Sequence, residues 1–308
     1  MCRVEVDPKS LPSIQGAILL NEPMSKHTSF KIGGPADIFA VPASLQEVQQ
    51  LVRWAGEHNL PVFVLGAGTN LLVSDCGIRG MVLQLGKAFS KVSVKGTTLI
   101  AGAAARLPRV VRKTLGVCLR GLEGLVGIPG TVGGAVCMNA GTSFGCVKDS
   151  LAKVTAVDSL GEVREYLADE LQLEYRSSCI PSRKLVVTEA VFQLAEERQE
   201  VINDLVSMLV SNRKRTQPVG VGTAGSVFKN PPGDYAGRLL EAVGAKGMQV
   251  GGARVSTKHA NFIYNTGTAT AEDVLTLMKI LKQLVLDKFG IELEPEIQIV
   301  GEWHDTKY

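Results

Sequence analysis

The chain has 308 residues, of which 45% are hydrophobic and 20% are charged, and its formal net charge is +3. This length accommodates about two or three domains with well-buried cores, and the composition is that of an ordinary globular protein. The charge is too small and too dispersed to predict a nucleic-acid partner, but it is compatible with an anionic small ligand.

The cysteines and the hydropathy pattern exclude several further classes. The six cysteines form no CxxC pair and have no regular spacing, so neither a metal site nor a redox dithiol is predicted. We interpret them as buried thiols of a reducing compartment. The N-terminus lacks the apolar core of a signal peptide, and no apolar run approaches the length of a membrane span. The sequence therefore predicts a cytoplasmic protein without a membrane partner.

The first predicted elements are strands and one helix. Short apolar runs bounded by turn signals predict strands over residues 38–41, 61–65 and 81–85. Ser44 followed by Glu47 has the pattern of a capping box, in which each side chain bonds the other residue's backbone N–H. A helix ending near residues 59–61 is predicted to follow, and its apolar face consists of Leu45, Val48, Leu51, Val52 and Ala55.

A glycine-rich loop at residues 66–71 follows the second of these strands. Ligands commonly bind at the carboxyl ends of strands in α/β sheets, and successive N–H groups in such a turn can form a concave nest for an anion. The loop lacks the third glycine and the following helix of the dinucleotide-binding fingerprint, so a nicotinamide-binding Rossmann domain is disfavoured.

A second glycine-rich stretch runs from Gly127 to Gly141 and carries almost no long or charged side chain. It follows a predicted hairpin at 92–105 and a predicted helix at 107–115, and precedes two strands joined at 159–161 and a strand at 185–194. We interpret it as a second anion nest, and two nests suggest a diphosphate ligand. An ordinary tight turn remains the alternative at each stretch.

Arg176 stands between the predicted strands of this middle region. A rigid guanidinium in such a position can present a fork of donors to a carboxylate or an enolate. A surface ion pair is at least as compatible with the sequence.

The region after residue 196 begins with an amphipathic helix predicted over 196–213, and a domain boundary is predicted near it. Its basic end, 213–215, fits the preference of helix C-termini for cations, or would neutralise a ligand phosphate. Ser226 follows in a third glycine-rich stretch. The Gly-x-Ser-x-Gly elbow of hydrolases is absent, so nucleophilic catalysis is poorly supported and proton donation stays open.

Two more helices and a strand complete the predicted elements. The helices cover 234–243 and 270–289, and the second has a capping box formed by Thr270 and Asp273. Alternation over 291–300 predicts a final strand with three glutamates on one face, Glu292, Glu294 and Glu296. Such a face is usually solvated, but one acid could lie in a cleft with a raised pKa.

Taken in order, these motifs resemble the bacterial UDP-N-acetylenolpyruvoylglucosamine reductases (MurB type), which are flavoenzymes of cell-wall precursor synthesis. The resemblance covers nearly the whole chain and is carried by residues 27–36, 66–72, 127–135, 139–141, 175–176, 224–231, 259–262 and 293–296.

The resemblance implies an α+β fold. A flavin module of two subdomains, of the FAD-binding PCMH or vanillyl-alcohol-oxidase type, is followed by an α+β substrate-binding domain. The implied boundaries are residues 1–85, 86–203 and 204–308. The short span between Arg176 and Ser226 leaves no room for the tyrosine-bearing loop of some family members, which implies the shorter subtype.

The resemblance also implies the ligands. FAD would bind non-covalently, NADPH would be the hydride donor, and a UDP-sugar would be the substrate; no metal is implied. The oligomeric state stays open and is compatible with a monomer. The implied cofactor-binding residues are Gly66, Ala67, Gly68, Thr69, Asn70, Leu71, Gly130, Thr131, Gly133, Gly134, Asn139, Ala140 and Gly141.

Three residues match the family's catalytic positions. By this resemblance Arg176 stabilises an enolate, Glu296 assists as an acid and Ser226 donates a proton. The implied substrate-binding residues are Lys214, Arg215, Lys229, Asn230 and Arg238. Two rival functions remain at this point: an FAD-dependent alcohol or sugar-acid oxidase of the same fold, and a non-catalytic flavin-binding or sugar-nucleotide-binding protein.

Overall fold

The computed structural model describes residues 10–218, 220 and 222–303. These residues form an α+β protein whose buried side chains gather in three regions of the chain. Among the described residues, none of the helices is long and apolar enough to cross a membrane, and no cluster of His, Cys, Asp and Glu could hold a metal ion.

The first region is a mixed four-stranded sheet with one helix. Its strands lie in the order β1-β2-β5-β3, in which β1 is antiparallel to β2 while β5 is parallel to both β2 and β3. The elements are β1 (Ala17–Pro23), β2 (Pro35–Val41), α1 (Leu45–Glu57), β3 (Val62–Leu65), β4 (Leu71–Val73) and β5 (Ile78–Gln84).

The second region is an antiparallel five-stranded sheet in the order β12-β11-β13-β7-β6, covered by helices. Its elements are β6 (Val92–Lys95), β7 (Thr98–Gly102), α2 (Leu107–Leu115), β8 (Leu119–Arg120), α3 (Val132–Cys137), β9 (Gly141–Thr142), β10 (Gly145–Cys146), β11 (Leu151–Val157), β12 (Val163–Leu167), β13 (Val186–Gln193), β14 (Ala195–Glu196) and α4 (Gln199–Thr216).

The third region packs two helices on a small antiparallel sheet, β15-β16-β17. Its elements are α5 (Ala236–Ala242), β15 (Gln249–Val250), β16 (Ala253–Val255), β17 (Ile263–Asn265), α6 (Ala271–Phe289) and β18 (Gln298–Val300). Strand β18 is not part of this sheet and pairs in parallel with β4 of the first region. Phe30, Ile32 and Leu72 of the first region are buried in the third core, so the two regions share hydrophobic packing.

Most predicted elements are confirmed, and their ends follow local chemistry. Helix α2 has the predicted bounds, and α6 begins at the predicted capping box of Thr270 and Asp273 and ends at Gly290, whose φ is +68°. Helix α4 begins at Gln199 and continues to Thr216, three residues beyond the predicted end. The implied boundary at 203/204 falls inside α4, which packs Val206, Leu209 and Val210 on the second core.

Several sequence expectations were wrong. Residues 291–297 are not a strand, because within this segment only an isolated bridge between Pro295 and Phe228 forms, and the paired strand is limited to β18. Strand β4 and helix α3 were not predicted. Strand β4 has only three residues and α3 is a glycine-rich segment of six, so neither shows a clear hydrophobic periodicity. Of the described cysteines, Cys179 is buried but Cys118 is exposed.

The capping of α1 also differs from the prediction. Ser44 accepts a bond from the Glu47 N–H at 3.2 Å as expected, but the carboxylate of Glu47 does not bond back to Ser44. It accepts instead from the N–H groups of Ala43, Gln15 and Gly16, at 2.8, 2.8 and 3.2 Å. Glu47 is buried, and these bonds, with that of Ala43 the strongest, lower its pKa.

We expect Glu47→Gln to lower the free energy of unfolding at neutral pH by about 1–3 kcal/mol, because an amide oxygen cannot replace both carboxylate oxygens. Since the pKa of Glu47 is depressed in the folded state, its contribution is present above the unfolded-state pKa and is lost as the pH falls through the folded-state value. The difference between wild type and variant in urea titrations should therefore shrink in acid. Glu57→Gln, on an exposed residue of the same helix, is the control.

Candidate active site

One cavity of about 1860 Å³ lies where the three regions meet. It exceeds the roughly 300–1,000 Å³ typical of a pocket for one small ligand. Every residue of the two glycine-rich stretches that was predicted to bind a cofactor lines it, as do Arg176, Ser226, Glu296, Lys214 and Asn230. The structure therefore brings most of the candidate residues together in one space.

The two glycine-rich stretches lie against each other. The Thr69 hydroxyl donates to the Pro129 carbonyl oxygen at 3.0 Å, and a Cβ on Gly66 would lie 2.8 Å from Thr131 Oγ1. Gly68 has φ +64°, and a Cβ there would lie 1.9 Å from the His27 carbonyl oxygen. These glycines are needed because protein segments approach each other closely.

The first glycine-rich loop leaves main-chain donors free. Among the described residues, the N–H groups of residues 67–70 have no protein acceptor. Four consecutive donors at the wall of a large cavity fit the phosphates of a nucleotide. This half of the anion-nest prediction is compatible with the structure.

The second stretch differs from the prediction, because its main-chain donors bond to protein. The N–H groups of Val132 and Gly133 donate to the carbonyl oxygens of Ala105 and Ala103, both at 2.9 Å. The N–H of Gly134 donates to Thr131 Oγ1 at 3.4 Å, which caps α3. The interpretation of this stretch as a row of free amides is therefore wrong at residues 132–134.

Arg176 and Glu296 form an ion pair in the cavity wall. Arg176 Nε donates to Glu296 Oε1 at 2.7 Å, and its terminal nitrogen donates to the Gly141 carbonyl oxygen at 2.8 Å. Only 19% of the Arg176 side chain and 17% of the Glu296 side chain are exposed. Arg176 has φ +55° and lies in a turn closed by mutual backbone bonds between Glu174 and Ser177. The turn and the second stretch together fix the guanidinium.

The backbone next to Ser226 is bonded directly to Glu296. The N–H of Glu296 donates to the Val227 carbonyl oxygen at 2.8 Å, and the buried Asn261 side chain bonds both backbone groups of Phe228, at 2.9 and 2.8 Å. The Ser226 position is thus held between residues 294–296 on one side and Asn261 on the other.

The pKa of Glu296 depends on its burial and on two neighbouring cations. Desolvation raises the pKa of Glu296, and the neighbouring guanidinium of Arg176 offsets this only in part, with a smaller opposing contribution from Lys229. A carboxyl group with a raised pKa is protonated over a wider pH range, so this residue can hold a proton beside a guanidinium.

Sequence reasoning named Arg213 only as part of the basic end of the helix and chose Lys214 and Arg215 as substrate-binding residues, but Arg213 lines the cavity. Desolvation lowers the pKa of Arg213, and no described carboxylate pairs with it. Gly127, with φ +74°, gives it room, because a Cβ there would lie 2.7 Å from Arg213 Cδ. Tyr175 contributed to the family resemblance but was given no role in the site. It lines the cavity, and its hydroxyl accepts from the Asn230 N–H at 3.4 Å.

Three predicted substrate-binding residues do not line this cavity. Arg238 is exposed and donates through Nε to Asp234 at 2.7 Å, and Lys229 pairs with the exposed Glu294 at 3.2 Å. Arg215 bonds the side chain of Asn212 at 3.1 Å on the exposed end of α4. Their predicted roles in substrate binding are untested.

Comparisons with known proteins agree with this architecture. Residues 36–166 match the family model "FAD binding domain", and residues 217–300 match "UDP-N-acetylenolpyruvoylglucosamine reductase, C-terminal domain". The UDP-N-acetylenolpyruvoylglucosamine reductase of Desulforamulus reducens is 44% identical over 94% of this chain and 95% of its own length. That of Caldanaerobacter subterraneus subsp. tengcongensis is 44% identical over 98% of this chain and all of its own length.

A solved structure extends the agreement to three dimensions. The crystal structure of the UDP-N-acetylenolpyruvylglucosamine reductase (MurB) from Thermus caldophilus has a TM-score of 0.81 and 36% identity, and the match covers 93% of this chain and 99% of that one. The implied fold, with its FAD-binding module, is therefore confirmed.

We expect Arg176→Met to raise the pKa of Glu296 further, because the guanidinium stabilises the carboxylate form. Lys229→Met should raise it less, since Lys229 makes the smaller contribution. The measurement is a ¹³C NMR titration of glutamate-labelled protein, with the Glu296 resonance assigned by its loss in Glu296→Gln. An unchanged or lower pKa in Arg176→Met would contradict the electrostatic role of the pair.

Proposed function

This chain belongs to the family of the UDP-N-acetylenolpyruvoylglucosamine reductases, FAD-containing oxidoreductases, and on that premise we propose its reaction. It reduces UDP-N-acetylglucosamine enolpyruvate to UDP-N-acetylmuramate in peptidoglycan precursor synthesis, with NADPH as the reductant. The observation that supports this most directly is the Arg176–Glu296 pair, bonded through the backbone to the segment of Ser226 in the wall of the large cavity.

The residues present fit a bound FAD. The free N–H groups of residues 67–70 suit its phosphates, and the cavity volume leaves room for a second ligand beside it. When bound, the flavin supplies the hydride that originates from NADPH. NADPH and the sugar nucleotide would use the remaining space in turn, which agrees with the lack of a separate Rossmann motif in the sequence.

The three candidate catalytic residues then account for the chemistry at the enolpyruvyl group. Hydride addition at its terminal carbon leaves negative charge that delocalises into the adjacent carboxylate. The guanidinium of Arg176 stabilises this charge, and the protonated carboxyl of Glu296 adds a hydrogen bond. The hydroxyl of Ser226 delivers a proton to the neighbouring carbon, which completes the saturated lactyl ether.

The function is tested with purified, flavin-loaded protein. NADPH oxidation should be slow alone and should accelerate when the enolpyruvyl sugar nucleotide is added, with one NADPH consumed per product. Rapid reoxidation of the reduced protein by oxygen, with no response to the sugar nucleotide, would support an oxidase instead. Absence of turnover with either would support a non-catalytic binding protein.

We expect Ser226→Ala to slow the step that consumes the enolpyruvyl substrate by about 10²–10³-fold, a loss typical of removing one positioned catalytic group. Reduction of the flavin by NADPH should stay close to the wild-type rate, because that step needs no proton at the sugar nucleotide. Stopped-flow measurement of the two half-reactions separates these effects. Equal loss in both would contradict the assignment of Ser226 as the proton donor.

We propose that Arg213 binds a ligand phosphate, since it is a desolvated cation in the cavity wall without a described acidic partner. Arg213→Met should raise KM for the anionic substrate about tenfold or more, consistent with the loss of a charge-assisted bond, and should change kcat less. Arg112→Met, on the exposed face of α2, removes the same charge away from the cavity and is the control. An unchanged KM in Arg213→Met would contradict this role.

A further inference from the structure

The side chain of Asn70 bonds to the polypeptide next to the candidate acid. Asn70 Nδ2 donates to the carbonyl oxygen of Glu296 at 3.1 Å, and the Asn70 carbonyl oxygen accepts from the N–H of Gln298 at 2.9 Å. One residue of the first glycine-rich loop therefore holds the chain on both sides of Ile297. From the resemblance alone, Asn70 was assigned to the cofactor.

Three further polar groups of this loop are also bonded to protein. The Gly68 carbonyl oxygen accepts from the N–H of Ser29 at 2.9 Å, and the Thr69 hydroxyl donates to Pro129. The Gly66 carbonyl oxygen accepts from Gln84 Nε2 at 3.0 Å, so with the bonds of Asn70 the loop is anchored to four separate segments of the chain. The main-chain donors left for a ligand are the N–H groups of residues 67–70.

We propose that Asn70 is a positioning residue for Glu296 rather than a cofactor ligand; this proposal rests on the proposed function. The main-chain N–H groups of the loop would hold the phosphates, and the ordered loop would position Glu296 through the side chain of Asn70. The backbone N–H of Glu296 donates in turn to the Val227 carbonyl oxygen, so the position of residue 296 also affects the segment of Ser226. Cofactor binding and placement of the proton-handling groups are coupled through one side-chain amide.

The pairing of β18 with β4 does not include this bond. Strand β18 pairs with β4 through three residue pairs, Gln298 with Leu71, Ile299 with Leu72 and Val300 with Val73. These pairs involve backbone groups and remain when the Asn70 side chain is shortened. We therefore expect Asn70→Ala to remove the bond to the Glu296 carbonyl oxygen while the strand beside it stays in place.

The test compares Asn70→Ala with Asn265→Ala in the flavin-loaded protein. Asn265 Nδ2 also joins the third region to the first, through the Phe30 carbonyl oxygen at 2.9 Å, but it does not line the cavity. For Asn70→Ala we expect flavin affinity and the NADPH half-reaction within about threefold of wild type. The half-reaction with the enolpyruvyl substrate should slow about tenfold or more, and its pH dependence should shift because the carboxyl group of Glu296 is displaced. Asn265→Ala should leave the rate of that half-reaction and its pH dependence unchanged.

Hydrogen exchange gives a readout that does not depend on turnover. In wild type, adding FAD to the apoprotein should slow exchange in the peptide that contains residues 296–298, and in Asn70→Ala this protection should be lost.

Loss of flavin from Asn70→Ala alone would make Asn70 a cofactor ligand and overturn the proposal. So would a flavin-loaded Asn70→Ala with wild-type half-reactions and pH profile. A wild-type protein that does not turn over the enolpyruvyl substrate would overturn the proposed function, while the exchange result would still decide the role of Asn70.

Discussion

The ion pair between Arg176 and Glu296 is the contact on which the candidate site depends. Arg176 comes from a turn of the second region and Glu296 from the segment before the last described strand, and each is held by the first two regions through Gly141 or Asn70. Burial makes the pair costly to charge fully, and the raised pKa of Glu296 is the sign of that cost. The same property suits the proposed reaction, which needs both stabilisation of transient negative charge and a hydrogen-bond donor.

The glycine-rich stretches have two different physical roles. In the first, the missing side chains let the loop approach the backbone near His27, and its main-chain donors stay free at the cavity wall. In the second, the N–H groups of Val132 and Gly133 bond to the carbonyl oxygens of Ala105 and Ala103. The missing side chain allows this close approach, because a Cβ on Gly133 would lie 3.0 Å from that of Ala103. The two stretches have a similar composition but do not offer a ligand the same contacts, because the first has free main-chain N–H groups at the cavity wall, whereas those at the start of α3 in the second bond to protein.

Local signals predicted the helices well, and tertiary contacts decided what they missed. The capping box at Thr270 and Asp273 marked the start of α6, but the acid of the Ser44–Glu47 pattern bonds to the N-terminal segment instead. Alternation over residues 291–300 predicted a strand that contains Glu296, but residues 291–297 are not paired as one. The bonds that hold Glu296 come from Val227 and Asn70, which are distant in the sequence and leave no local pattern. Successive positions on a helix are about 100° apart, so a basic run alone could not place Arg213 at the cavity rather than Arg215.

The pairing of β18 with β4 joins residues that are more than two hundred positions apart, as in the Asn70–Glu296 bond. During synthesis the flavin-binding regions emerge from the ribosome long before residues 296–300, and contacts of such large sequence separation form late in folding. Because Phe30, Ile32 and Leu72 are buried in the third core, the nascent first region keeps apolar side chains exposed until the third region has been synthesised.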